Sequence, residues 1–243
     1  MAELGAAGAS AAPVPSDALL ASFFGERRAL AVRFAEHLTS SATERGLVGP
    51  REVPRIWDRH ILNCAAVSEL VPPSAHVADV GSGAGLPGVA VAIARPDVNV
   101  VLIEPLQRRV LWLEEIATDL GLTNVTVCRA RAEELVGRFE FDVVTARAVA
   151  ALPTLAGWCL PLVSPGGVVL AIKGRSAEEE VMAAGSRLRR LGVAEVGIRT
   201  CGVGLLDVPT TVVTLTRAAE TVGSAGRRRS RSRTGDAGSG RRP

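Results

Sequence analysis

The stretch HVADVGSGAGLPGV (residues 76–89) decides the fold. It reads as a short apolar strand that carries one acid, Asp79, and then breaks into glycines at 81, 83 and 85. Glycine lets the backbone approach a ligand more closely than any Cβ would allow, and a helix that follows aims its unpaired N–H groups at that ligand. Pro87 suits the first turn of such a helix, where its missing N–H costs nothing. A strand, a glycine loop and a helix in this order predict a site for a nucleoside-containing cofactor.

Two cofactor classes fit the segment. Gly83, Gly85 and Gly88 spell the dinucleotide pattern G-x-G-x-x-G, which leaves a nicotinamide oxidoreductase open. The overlapping frame Asp79-x-Gly81-x-Gly83-x-Gly85 resembles that of S-adenosylmethionine-dependent methyltransferases, in which the acid suits the ammonium of the cofactor's methionine part. The second strand, NVVLIEP (99–105), ends in Glu104, an acceptor for ribose hydroxyls. Both classes place an acid about 20 residues on, so Glu104 supports a nucleoside without choosing between them.

The order of elements makes the choice. Further buried strands are predicted at VTVCRAR (125–131), FDVVTARA (141–148) and GGVVLAIKG (166–174), separated by helical patterns at 106–120, 152–162 and 176–191. Two more strands at 193–203 and 210–217 close the run. This predicts an α/β class I (Rossmann-like) methyltransferase fold, a seven-stranded mostly parallel sheet with an N-terminal helical extension. The SPGG turn (164–167) before the fifth strand is common in such folds. Four parts follow: a disordered N-terminus at 1–16, a helical element at 17–74, the methyltransferase domain at 75–217 and a disordered Arg-rich tail at 218–243. Within the helical element, an amphipathic helix is expected over 17–40, a turn-rich segment over 44–54 and a second helix ending at Leu70.

Composition bounds the function. At 243 residues and 47% hydrophobic content the chain supports one sizeable core. The absence of a signal-peptide pattern or a bilayer-length apolar run points to a cytoplasmic protein with no membrane partner. The spacing of Cys64, Cys128, Cys159 and Cys201 fits neither a zinc site nor a disulfide framework, so no metal is expected. The tail holds seven arginines, giving residues 218–243 a net charge of +5 and residues 1–217 a net charge of −2. It reads either as a solvated remnant or as an electrostatic arm for RNA. The only lysine among 28 basic residues is Lys173, at the end of the predicted fifth strand. In a chain that otherwise uses arginine, a lysine there suggests a compact point charge at the ligand edge. Arg147, Arg131, Glu104 and Gly81 come to the same edge.

The segments WDRHILNC (57–64), DVGSGAGLPG (79–88), RAEEL (131–135), TARAVAAL (145–152) and LAIKG (170–174), in this order and spacing, resemble the RsmG (GidB) family over about residues 17–217. The resemblance implies methylation of N7 of one guanine in 16S ribosomal RNA, on the naked RNA or the small ribosomal subunit, with S-adenosylmethionine as donor. It implies that Gly81 and Leu86 line the cofactor site with Asp79, Gly83 and Gly85, that Ala132 and Glu133 bracket the adenine, and that Arg147 lies where cofactor and substrate meet. Arg131 and Lys173 match positions expected to contact RNA or the guanine. The chain departs from the family pattern at ERGLVGP (44–50) and at Asn63-Cys64, both within the accessory helical element.

The residues agree with ring-nitrogen methylation mainly by exclusion. No Asn/Asp-Pro-Pro-aromatic segment for an exocyclic amine is present, no cysteine follows a proline as C5 methylation of pyrimidines commonly uses, and one lysine cannot supply a ribose 2′-O set. Guanine N7 carries a free lone pair, so alignment with the methyl group is the main requirement. His60 reads either as a pocket residue that orients the guanine or as a satisfied structural histidine. Trp57 is a candidate for stacking a base, whereas Trp112 and Trp158 are assigned to the core. A monomer is expected. The other function classes left open are the nicotinamide oxidoreductase and a nucleoside-binding module without catalysis.

Overall fold

The computed structural model describes residues 13–147 and 150–219. Residues 1–12 and 220–243, read from sequence as parts of disordered ends, lie outside it. Strands β1 (His76–Val80), β2 (Asn99–Ile103), β3 (Val125–Cys128), β4 (Phe141–Arg147), β5 (Val163–Lys173), β6 (Val193–Cys201) and β7 (Thr210–Arg217) form one sheet. Its order is β3-β2-β1-β4-β5-β7-β6, parallel except where β7 runs antiparallel to β5 and β6. The chain winds outward in opposite directions from β1 and β4, which opens a crevice at their carboxyl ends.

Successive side chains along a strand point to opposite faces, and both faces are covered. Val77, Leu102 and Val143 join one buried cluster with α5 (Gly88–Ala94), α6 (Gln107–Asp119) and the N-terminal helices. Their neighbours Ala78, Ile103 and Val144 join a second cluster with α7 (Leu152–Cys159) and α8 (Ala177–Arg190). This double coverage is why the central strands read as near-continuous apolar runs.

The accessory element differs from its sequence reading. The helix expected over 17–40 is two helices, α1 (Asp17–Phe24) and α2 (Arg28–Thr39), broken at Gly25, whose φ of +52° terminates the first. Arg28 braces the break through Asp17 at 2.6 Å. A short helix, α3 (Ser41–Glu44), precedes the turn-rich segment, and a tight turn at Pro50–Arg55 occupies its second half. The second helix is wound unevenly: a wide π turn at Ile56–Ile61, then α4 (Leu62–Ala65), then a tight turn at Ala66–Leu70. The wide turn buries Ile56, Trp57 and Ile61 together while keeping His60 partly exposed. β5 begins at Val163, so the SPGG segment lies inside the strand as a register irregularity opposite Phe141–Val143. Gly167 fits there because a Cβ would meet the Asp142 carbonyl at 2.7 Å.

α5 is seated on β1 and β2 through Gly88. A Cβ at that position would lie 2.3 Å from Leu102 Cδ2 and 2.7 Å from Asp79 Oδ2. Gly88→Ala should therefore force α5 outward and destabilise the protein by about 1–3 kcal/mol, the usual range for overpacking. Urea denaturation checks this; an unchanged midpoint would contradict the close seating.

Candidate active site

Gly81, Gly83 and Gly85 have φ values of +73°, +57° and +86°, a conformation that side chains with a Cβ rarely adopt. The Gly81 and Ser82 amides donate to the Ile103 carbonyl at 2.9 and 3.2 Å. The Gly83 amide donates to Glu104 Oε2 at 3.0 Å, and the Leu106 amide donates to Oε1 at 3.0 Å. Glu104 is 1% exposed. The acid that the sequence reading gives to ribose thus also ties the glycine loop to β2, and its carboxylate keeps acceptor capacity for further donors. Gly85 serves packing: a Cβ there would lie 2.6 Å from Val89.

Asp79 is fully buried under the loop. Its Oδ2 accepts from the Gly88 amide at 2.9 Å, and its Oδ1 is buried without a partner. Burial pushes its carboxyl up to about 7. An orphaned acceptor at the base of a loop of positive-φ glycines fits a cofactor that brings an ammonium group.

Two cavities meet at Gly81. One is lined by Val80, Gly81, Ile103, Pro105, Ala130, Arg131, Ala132, Glu133 and Trp158, mostly apolar walls suited to a flat base. The other is lined by Leu47, Val48, Gly49, Glu52 and His60 from the accessory element, and by Gly81, Ser82, Gly83, Ala84, Leu86 and Arg147 from the sheet domain. Ala132 and Glu133 fall in the first cavity; Gly83, Leu86, His60 and Arg147 fall in the second.

Arg147 ends β4 and is held on two sides. One guanidinium nitrogen donates to His60 Nδ1 at 2.7 Å and the other to Cys64 Sγ at 3.0 Å. Since arginine only donates, His60 Nδ1 accepts, and its Nε2–H donates to Glu52 at 2.7 Å. Burial and the Arg147 charge hold the imidazole below its ordinary pKa, which matches this neutral tautomer.

Arg131, matched to an RNA-contacting position, is exposed and lies on the wall of the first cavity beside Ala132. Lys173 lies in neither cavity. Its side chain is 10% exposed, and its ammonium pairs with Glu180 at 2.8 Å and donates to the Ala150 carbonyl at 3.0 Å, while Glu180 accepts from the Leu152 amide. The pair clamps the chain just after Arg147. Trp57, the stacking candidate, is 3% exposed and belongs to the core, whereas Trp158, assigned to the core, lines the first cavity. Glu52 went unread because nothing in the sequence ties it to a histidine eight residues later across a tight turn and a wide one.

Residues 27–205 match the family described as rRNA small subunit methyltransferase G. A ribosomal RNA small subunit methyltransferase G from Pseudarthrobacter chlorophenolicus is 60% identical over 190 residues, covering 78% of this chain and 88% of the relative. The chain belongs to the rRNA small subunit methyltransferase G family. A relative of the same name from Salinispora tropica is 51% identical over 216 residues, covering 86% and 89% of the two chains. Among solved structures, an O-methyltransferase family protein from Burkholderia thailandensis aligns with a TM-score of 0.51 at 16% identity, covering 82% of this chain and 63% of that one. A SAM-dependent O-methyltransferase from Thermotoga maritima aligns at 0.50 and 15% identity, with 66% coverage of each. These two share the fold. The protein is a methyltransferase with S-adenosylmethionine as its donor, and the nicotinamide and non-catalytic readings fall away.

The Asp79 environment sets a pH dependence. Its folded pKa stands above its unfolded value, so the ligand-free protein should lose stability as pH rises from about 4 to about 7, where the unfolded chain releases the proton first. Thermal melts of wild type and Asp79→Asn across that range check it. The wild-type curve should fall relative to that of the variant, and parallel curves would exclude a buried titrating carboxyl at this position.

Proposed function

We propose that this protein transfers the methyl group of S-adenosylmethionine to N7 of a guanine in 16S ribosomal RNA. The cofactor would lie across Gly81, with its adenine between Ala132 and Glu133 and its ammonium near Asp79. Glu104 would accept from the ribose, and the methyl group would face the second cavity. The observation that carries the reading is the state of His60. This imidazole lines the second cavity, yet both nitrogens are engaged, by Arg147 and by Glu52. A histidine so bound is not free to take a proton. Guanine N7 offers its lone pair without deprotonation, so alignment suffices.

In this reading Arg147 binds where cofactor and guanine meet, His60 holds it there, and Lys173 orders the segment after it. Arg131 extends the RNA-facing rim from the first cavity. The methyltransferase domain at 75–217 carries the chemistry and the helical element at 17–74 supplies one wall of the substrate cavity. Within the described residues no helix is long and apolar enough to cross a membrane. The reading takes the enzyme as a cytoplasmic monomer acting on the small ribosomal subunit.

The decisive experiment is incubation of the protein with labelled donor and small subunits, followed by mass spectrometry of nuclease-digested 16S RNA. A 7-methylguanosine product is expected; a methyl group on an exocyclic amine or on ribose would refute the assignment. Arg147→Ala should lower kcat by about a hundredfold, the scale of a misplaced reactant, while the melting temperature stays close to wild type.

The net +5 of residues 218–243 against −2 for the remainder suits an arm attracted to a polyanion. Removing residues 218–243 should raise KM for the small subunit and flatten its salt dependence, leaving kcat unchanged. Superimposable KM curves over a salt series would identify the tail as a bystander.

A further inference from the structure

We propose that Glu52 is a positioning residue for methyl transfer, acting through His60 on Arg147 and so linking the accessory element to the reaction centre. The inference rests on the reading of Arg147 given above. Three contacts carry it: Glu52 to His60 Nε2 at 2.7 Å, His60 Nδ1 to Arg147 at 2.7 Å, and Arg147 to Cys64 at 3.0 Å. Glu52 lies on the tight turn Pro50–Arg55, His60 on the wide turn that follows, and Arg147 at the end of β4. The chain of hydrogen bonds therefore crosses the second cavity wall from the accessory element to the sheet.

Its polarity is fixed at both ends. A guanidinium can only donate and a carboxylate can only accept, so a neutral imidazole between them has one possible tautomer. Without Glu52, His60 loses the partner that fixes its ring plane, and the weak acceptor Cys64 on the other side becomes the one ordered partner of Arg147. The imidazole side chain is 13% exposed and that of Glu52 is 32% exposed, so the contact is partly shielded from water. Protonation of His60 would place an N–H against the Arg147 N–H, breaking the link and setting two cations side by side.

The charged groups around the imidazole are Glu52 and Arg59 from the accessory element and Arg147 from β4, with Arg55 acting on Glu52. The Cys64 thiol and Asp79 face Arg147 from the other side. Among these, Glu52 favours the protonated imidazole, while Arg147 and Arg59 disfavour it. Loss of the carboxylate charge should therefore shift the titration of His60 to lower pH.

The test compares wild type, Glu52→Gln, Glu52→Asp, His60→Ala, the Glu52→Gln/His60→Ala double variant and Arg147→Ala. Each is measured by kcat on small subunits across pH, by S-adenosylhomocysteine affinity and by melting temperature. Glu52→Gln should lower kcat by about tenfold, within the range for a misaligned group. Cofactor affinity should be retained, and the acid limb of the pH profile should move to lower pH. Glu52→Asp should recover part of the loss. In the His60→Ala background Glu52→Gln should have no further effect, because its route to Arg147 is already cut. Wild-type kcat in Glu52→Gln, an unmoved acid limb, or additive losses in the double variant would overturn the proposal while Arg147→Ala still shows its large loss of kcat. Full turnover in Arg147→Ala would instead bring down the underlying site reading, and the proposal with it.

Discussion

A buried carboxylate with only one of its oxygens satisfied organises this protein. Asp79 receives the Gly88 amide at the start of α5 and leaves its second oxygen without a partner. The contact requires the helix to come so close that Gly88 has no room for a Cβ. With α5 fixed by that approach and β1 fixed by its neighbours, the loop between them must reverse over a short span, which it does through residues of positive φ. Burying the acid raises its pKa to about 7, a standing cost of folding that a cationic ligand group would offset. The positive-φ glycines and the orphaned acceptor thus lie together at one place, the turn between β1 and α5.

The second consequence concerns what surrounds the loop. The accessory helices share one buried cluster with α5 and α6, so they are part of the same core as the sheet. That packing brings His60, itself bound to Glu52, against Arg147, and the Lys173–Glu180 pair holds the chain at Ala150 and Leu152. The Lys173 side chain is mostly withdrawn from water and that of Glu180 partly so, and the lysine's ammonium reaches Glu180 and the Ala150 carbonyl together. The single lysine of the chain is thus engaged in local bridging between β5, α8 and the start of α7.

The sequence by itself determined the sheet and its ligand edge. Periods of apolar residues fixed seven strands and their intervening helices, and the glycines and Asp79 marked the loop, because these signals act over a few neighbouring residues. Gly81, Leu86, Ala132 and Glu133 were placed by resemblance to a family whose motifs match in order and spacing, and they line the two cavities. Only the tertiary structure decided which polar side chains pair. His60 and Arg147 are far apart in the chain, and so are Lys173 and Ala150; no local pattern encodes such meetings. The same holds for the two tryptophans that exchanged roles, since burial of a large ring depends on what packs over it. The uneven winding of residues 50–70 was equally illegible, because a tight turn followed by a wide one preserves no single helical period, and it is this winding that turns His60 toward the site.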